Sequence, residues 1–309
     1  MNLKPLNQTN LYGLENNLIE LIKLYNNKDL PNKILLSGDK GSGKCTLAYH
    51  LVNFILSKNE QFSYDIENFK INENNKSYKL TINGSNPNLS IIDTFEKKKN
   101  IDINQIRELI QNLNKSSLNN KERFIIIDNI ETLNVNAINA LLKNLEEPPE
   151  NTFFILINND KSILPTLKSR CINFRIFLSH NQSLDIIKRL LNDDINKYIN
   201  KDLLNYFLTP GSIYNLISFF KSNNYDLKNL TTKDFLKLII KENLYKKDDL
   251  DKHIIFEYFE IFCRKNIVSL RQKKIDYYSY FLKRINDTKK FNLDMESLFI
   301  ELENKVLNG

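Results

Sequence analysis

The stretch Ile34-Leu35-Leu36-Ser37-Gly38-Asp39-Lys40-Gly41-Ser42-Gly43-Lys44-Cys45-Thr46 decides how this chain folds. An apolar run leads into a glycine-spaced polar turn and a lysine, and apolar residues then recur at helical spacing through 47–56. Strand, loop and helix in that order make a phosphate-cradling P-loop. Its glycines let backbone N–H groups turn inward toward phosphate oxygens, and the helix N-terminus adds partial positive charge. Gly38, Gly41 and Gly43 are the candidate cradle, and Lys44 the candidate contact to the outer phosphates. The next position should offer a hydroxyl to Mg²⁺, yet it is Cys45. Magnesium is a hard cation that prefers oxygen, so a neutral thiol weakens metal binding. Thr46 does not replace it, because one helical step turns a side chain by about 100°.

Outward from the loop, short apolar runs alternate with helical patterns across the first 178 residues, the arrangement of a parallel sheet with crossover helices. The expected strands are 33–37, 78–83, 89–94, 123–128, 152–158 and 171–177. Runs 124–127 and 153–157 are apolar at successive positions, which marks strands buried on both faces. Helical spacing appears in Ile103, Ile106, Leu109, Ile110 and Leu113, and again in Ile138, Leu141, Leu142 and Leu145, where Pro148-Pro149 ends it. Asp128 closes the strand Ile125-Ile126-Ile127 and is the candidate second ligand, holding Mg²⁺ through water. A hydrolysing site of this kind usually follows that aspartate with a glutamate that polarises the attacking water. Here Asn129 follows, and an amide cannot accept the proton. Glu131 lies beyond the strand and is not assigned that role.

After Phe177 the strand pattern stops, and the rest reads as helix, broken near Pro210-Gly211. The expected organisation is an α/β domain over 1–178, a small helical lid over 179–222 and an all-α domain over 223–309. The polar segment 57–79 reads as a solvated surface insertion, and Lys97-Lys98-Lys99 as a solvated face. A formal charge of +7 permits contact with a nucleic-acid backbone without demanding it, since an AT-rich coding sequence alone enriches lysine. Cys45, Cys171 and Cys263 are widely separated, which indicates neither a disulfide framework nor a zinc site and fits a reducing, cytoplasmic setting. No window approaches ~18 consecutive apolar residues, so no membrane span is expected.

Several blocks together resemble the clamp-loader branch of the AAA+ proteins, and within it the delta-prime subunits of bacterial DNA polymerase III. They are Ser85-Asn86-Pro87-Asn88-Leu89, Ile103-Asn104-Gln105-Ile106-Arg107-Glu108-Leu109, Asn139-Ala140-Leu141-Leu142-Lys143-Asn144-Leu145-Glu146-Glu147-Pro148-Pro149, and Leu164-Pro165-Thr166-Leu167-Lys168-Ser169-Arg170-Cys171. The resemblance implies an AAA+ sheet with flanking helices, a helical lid and a C-terminal collar through which subunits form a ring. In the Ser169-Arg170-Cys171 motif it implies that Arg170 reaches the ATP of a neighbouring subunit, where a planar, permanently charged guanidinium stabilises negative charge. It places the candidate sensor at the end of its strand at Asn158-Asn159, with Asn158 the candidate nucleotide contact. Tyr214 stands where motor subunits carry a lid arginine, and the four-cysteine zinc module of many relatives is absent. The implied role is a subunit without catalysis in cis that assists ATP-dependent loading of a sliding clamp onto primed DNA. Its partners would be the motor subunits, delta, the clamp and DNA. No cofactor is required, with at most weak ATP or ADP binding with Mg²⁺. The alternative is a motor-type, tau/gamma-like ATPase hydrolysing ATP in cis.

Overall fold

The computed structural model describes residues 4–94, 101–113, 121–159, 161–204, 208–247, 250, 252–267, 272–291 and 293–307, and the chain divides into two compact units, Met1–Gln182 and Ser183–Gly309. The lysine run 97–99 lies outside the described residues.

In the first unit α1 is Glu15–Asn26, β1 Lys33–Ser37, α2 Lys44–Ser57, α3 Lys76–Ile82, β2 Leu89–Ile92, α4 Ile103–Leu113, β3 Arg123–Ile127, α5 Val135–Glu146, β4 Thr152–Asn158, α6 Pro165–Lys168 and β5 Ile172–Arg175. The five strands form one sheet in the order β2-β3-β4-β1-β5, and every pairing is parallel. The continuous apolar runs of β3 and β4 sit inside it, as strands covered on both faces require. Alternate residues feed two cores. Ile34, Leu36, Ile126, Ile155 and Ile157 pack with α1 and α2, whereas Leu35, Ile125, Ile127, Phe154 and Leu156 pack with α4, α5 and α6. Chain order reverses around β1, and in such sheets ligands bind beyond the carboxyl ends of the strands at that point.

Two expectations are corrected. The segment 78–83 is not a strand but the body of α3. Its alternation of Tyr78, Leu80 and Ile82 with polar residues is strand-like, but the flanks start and stop a helix. The Asn75 side chain caps the N-terminus, and the Glu60 carboxylate accepts hydrogen bonds from the Ser77 N–H and Oγ–H. Gly84, at φ 64°, ends the helix. Nor is 57–79 simply solvated: Tyr64, Ile71, Asn75 and Ser77 are buried. Asn53 and Asn75 exchange amide hydrogen bonds at 2.9 and 3.3 Å, and the Ile71 N–H donates to the Thr9 carbonyl at 2.8 Å.

This segment also seals a histidine. His50 is fully buried on α2, with Nδ1 2.8 Å from the Tyr64 hydroxyl and Nε2 3.1 Å from the Gln8 carbonyl. Burial holds its pKa down to about 4. The native state therefore binds fewer protons than the unfolded chain between pH 6.5 and 4, and stability falls as pH falls through that window. We expect His50 alone to remove about 3 kcal/mol across it. Urea titrations at pH 7 and pH 4 should show a smaller pH dependence in His50→Gln than in the parent, and equal dependences would refute the assignment.

The second unit holds α7 (His180–Leu191, whose first turn contains the boundary), α8 (Pro210–Ser222), α9 (Thr232–Lys241), α10 (Lys252–Ile267), α11 (Gln272–Phe291) and α12 (Met295–Leu302). Thr209 caps α8 with Pro210 in its first turn, and Thr231 with Asp234 forms a capping box on α9. The core is aromatic: Phe235 packs between Phe220 and Tyr258, while Phe299 contacts Tyr245, Phe256 and Phe259. The buried Tyr258 hydroxyl donates to the Leu203 carbonyl at 2.6 Å, so no polar atom is stranded there.

Candidate functional site

The P-loop forms as its residues demand. Gly38, Gly41 and Gly43 all have positive φ, at 144°, 83° and 87°. Gly38 is fixed by space as well as by conformation, since a Cβ there would lie 2.2 Å from the Ile176 carbonyl oxygen. Gly43 is the N-cap of α2, which carries Lys44, Cys45 and Thr46 in its first turn.

The polar side chains of the loop are bonded within the chain. Lys44 is only 3% exposed, and its Nζ donates to the carbonyls of Gly38 and Asp39 at 2.8 and 2.6 Å, with Ser42 Oγ at 3.4 Å. The cation that should meet phosphates is held by its own loop. Cys45 hydrogen-bonds to the Asp128 carboxylate, and burial, reinforced by Asp128 and Asp93, holds the thiol neutral far above its usual range. Asp128 itself is pushed up to about 6, first by burial and then by the charge of Asp93. A neutral thiol fits Mg²⁺ badly, because the metal needs a near-octahedral shell of oxygen ligands. Thr46 stands half-buried, one helical step further round.

A polar relay continues from Asp128. The Asn129 N–H donates to Asp128 Oδ1 at 2.8 Å, and its side-chain Nδ2 donates to Asp93 Oδ1 at 2.7 Å. Asn159 Nδ2 donates to Asn129 Oδ1 at 2.8 Å and to Glu131 Oε1 at 3.2 Å. Sequence reasoning missed Asp93. Its signal was an acid directly after β2, whose last residue Ile92 is in register with Ile127, the residue before Asp128. Asn158 is not brought to this cluster. The pleat sends Asn158 to the face of Leu35 and Leu156, while Asn159 turns to the face of Asp128.

The raised pKa of Asp128 has a consequence for stability. An unfolded aspartate titrates near 3.9, so the native state binds this proton more tightly, and stability is lost as pH rises from about 4 to 6. Asp128→Asn should therefore be more stable than the parent by about 3 kcal/mol at pH 7, with no advantage below pH 4. Urea midpoints at both pH values check this, and a variant less stable at pH 7 would refute it.

Arg170 lies between α6 and β5. Its Nε donates to Glu146 Oε1 at 2.9 Å, Nη2 pairs with the same carboxylate oxygen, and Nη1 donates to the Thr166 carbonyl at 2.8 Å. Ser169 Oγ donates to the same Thr166 carbonyl at 3.1 Å. Cys171 is buried in the core, its thiol pushed up to about 11 by burial. Of the motif, Ser169 and the Arg170 guanidinium reach the surface, with 32% of the Arg170 side chain exposed. Tyr214 is buried within the helical unit on α8. Among the described residues no helix is long and apolar enough to cross a membrane, and no cluster of histidine, cysteine and acidic residues could hold a metal.

Comparison with known proteins follows the same lines. A family profile described as "DNA polymerase III, delta subunit" matches residues 13–179, more than half of the chain. The DNA polymerase III subunit delta' of Buchnera aphidicola subsp. Schizaphis graminum is 27% identical over 290 residues, covering 87% of this chain and 83% of that protein. Subunit delta' of Pseudomonas aeruginosa is 32% identical over 139 residues, 45% of this chain, and the match spans only 40% of the Pseudomonas protein. Among solved structures, a gamma subunit-related protein from Thermotoga maritima aligns over 91% of this chain and 96% of its own, with a TM-score of 0.46 and 18% identity. With its parallel sheet, altered P-loop and retained Ser-Arg-Cys motif, the chain belongs to the DNA polymerase III delta-prime subunit family.

Proposed function

We propose that this chain is a non-hydrolysing subunit of a hetero-oligomeric clamp loader, and that it lends Arg170 to ATP bound by a neighbouring motor subunit. In this reading it assists the loading of a sliding clamp onto primed DNA, with motor subunits and delta as direct partners. The segments 179–222 and 223–309 serve as lid and collar, the collar holding the ring together. One contrast carries the reading. The cis site is internally satisfied, with Lys44 bound to its own loop and Cys45 to Asp128, whereas Arg170 is partly exposed and held only by a surface carboxylate and a carbonyl. Whatever nucleotide the chain binds is bound weakly, as ATP or ADP, and no zinc is involved.

The retained loop and Asp128 also suit a motor-type, tau/gamma-like ATPase. Single-turnover hydrolysis on the purified chain separates the two readings. The proposal expects no hydrolysis above background, and hydrolysis abolished by Lys44→Ala would replace it with the motor reading. Mass spectrometry of a native pull-down should recover a motor subunit together with a second non-motor subunit. Recovery of the chain alone would count against the assembly.

A further inference from the structure

On the sheet face opposite Asp128 and Cys45, the carboxyl ends of β4, β1 and β5 form a second polar site. Ser37 is in register with Asn158 on one side and with Arg175 on the other, so the three residues make one row across the strands. Asn173 lies one pleat back, in register with Leu35. Lys161 and Ser162 from the β4–α6 connection and Lys168 from α6 complete a cleft of about 240 Å³. Three of its lining residues are cationic, and no carboxylate lines it among the described residues.

The second observation is a buried acceptor without a donor. Asn158 is 6% exposed, and its Nδ2 donates to the Lys161 carbonyl at 3.0 Å, but Oδ1 has no hydrogen-bond partner. Leaving such a group unsatisfied is costly, so it marks a place where a donor belongs. Ser37 Oγ donates to Asn173 Oδ1 at 2.7 Å, which leaves the Asn173 amide N–H groups as donors at the mouth. The cleft thus offers cations and amide donors to an anion, and beside them one acceptor to a neutral donor.

We infer that this cleft binds a phosphorylated sugar, its phosphate between Lys161, Lys168 and Arg175 and a sugar hydroxyl donating to Asn158 Oδ1. The phosphate group of a monoester satisfies only half of the site: its dianion, which the surrounding cations favour, has no proton to give the amide oxygen, so the donor must be a hydroxyl elsewhere on the ligand. The site shares no lining residue with the P-loop and does not depend on the trans role of Arg170.

Two sources supply this chemistry, a free sugar phosphate or the phosphorylated end of a strand, and titration of the full chain distinguishes them. Ribose 5-phosphate should bind saturably and shift the amide resonances of Ser37, Asn158 and Asn173 but not those of Gly41 and Gly43. Lys168→Ala, a change at an exposed position, should weaken binding about 10-fold. Asn158→Ala should weaken ribose 5-phosphate by a similar factor and leave methyl phosphate, whose dianion has no proton to donate, unaffected. If a 5′-phosphorylated oligonucleotide binds more tightly than both ribose 5-phosphate and its own 5′-hydroxyl counterpart, the source is a strand end. Three results overturn the inference: no saturable binding of any of these probes, binding of sulfate as tight as that of ribose 5-phosphate (an adventitious ion only), or shifts confined to Gly41 and Gly43.

Discussion

On the proposed trans role, replacing Arg170 with alanine should slow ATP turnover at one neighbouring site by on the order of 10³-fold, the lower end of what an arginine finger contributes to phosphoryl transfer. The geometry explains why the effect should be catalytic and not structural. Arg170 bonds to Glu146 and to the Thr166 carbonyl, and the two side chains of the ion pair are 32% and 51% exposed. Exposed pairs of this kind contribute about 0–1 kcal/mol, so neither loss of the arginine nor its departure from Glu146 costs much stability. A guanidinium held so lightly can exchange one carboxylate for phosphate oxygens, whose charge develops during transfer. The reconstituted assembly should therefore contain the variant at full stoichiometry while its ATPase falls. Unchanged turnover in an intact assembly would return Arg170 to the status of a surface ion pair.

Much of this was legible in the sequence because local chemistry dictated it. The loop from Gly38 to Lys44, the doubly buried runs of β3 and β4 and the Pro148-Pro149 stop after α5 all follow from residues close together in the chain. What was missed depends on distant partners. The helix at 76–82 is decided by Asn75 and by a carboxylate sixteen residues before its start, Glu60, against an alternating pattern that reads as strand. The burial of Tyr64 and Ile71 depends on the N-terminal segment and α2. Asn158 and Asn159 are indistinguishable by type, and only the pleat of β4 separates a residue facing Asn129 from one facing Lys168. The hold of Glu146 on Arg170 reaches across β4 and α6, beyond the reach of any spacing rule.

Gly38→Ala should destabilise the isolated chain by about 3 kcal/mol or more in the complete absence of nucleotide, an effect that separates the P-loop as architecture from the P-loop as a binding site. The new Cβ would meet the Ile176 carbonyl oxygen at 2.2 Å, and the backbone sits at φ 144°, a conformation that L side chains rarely adopt. Neither partner can give way easily. Ser37, the preceding residue, accepts from the Ile176 N–H at 2.7 Å, and Ile176 is buried in the core beneath α1 and α2. Lys44 is committed in the same manner, its ammonium bridging the carbonyls of Gly38 and Asp39. Packing and internal hydrogen bonds thus tie Gly38 and Lys44 into the fold in a chain that carries a thiol at Cys45. Urea denaturation without ligand measures the loss directly. A Gly38→Ala protein as stable as the parent would show that the loop relaxes freely, and the retained motif would then have to be explained by nucleotide.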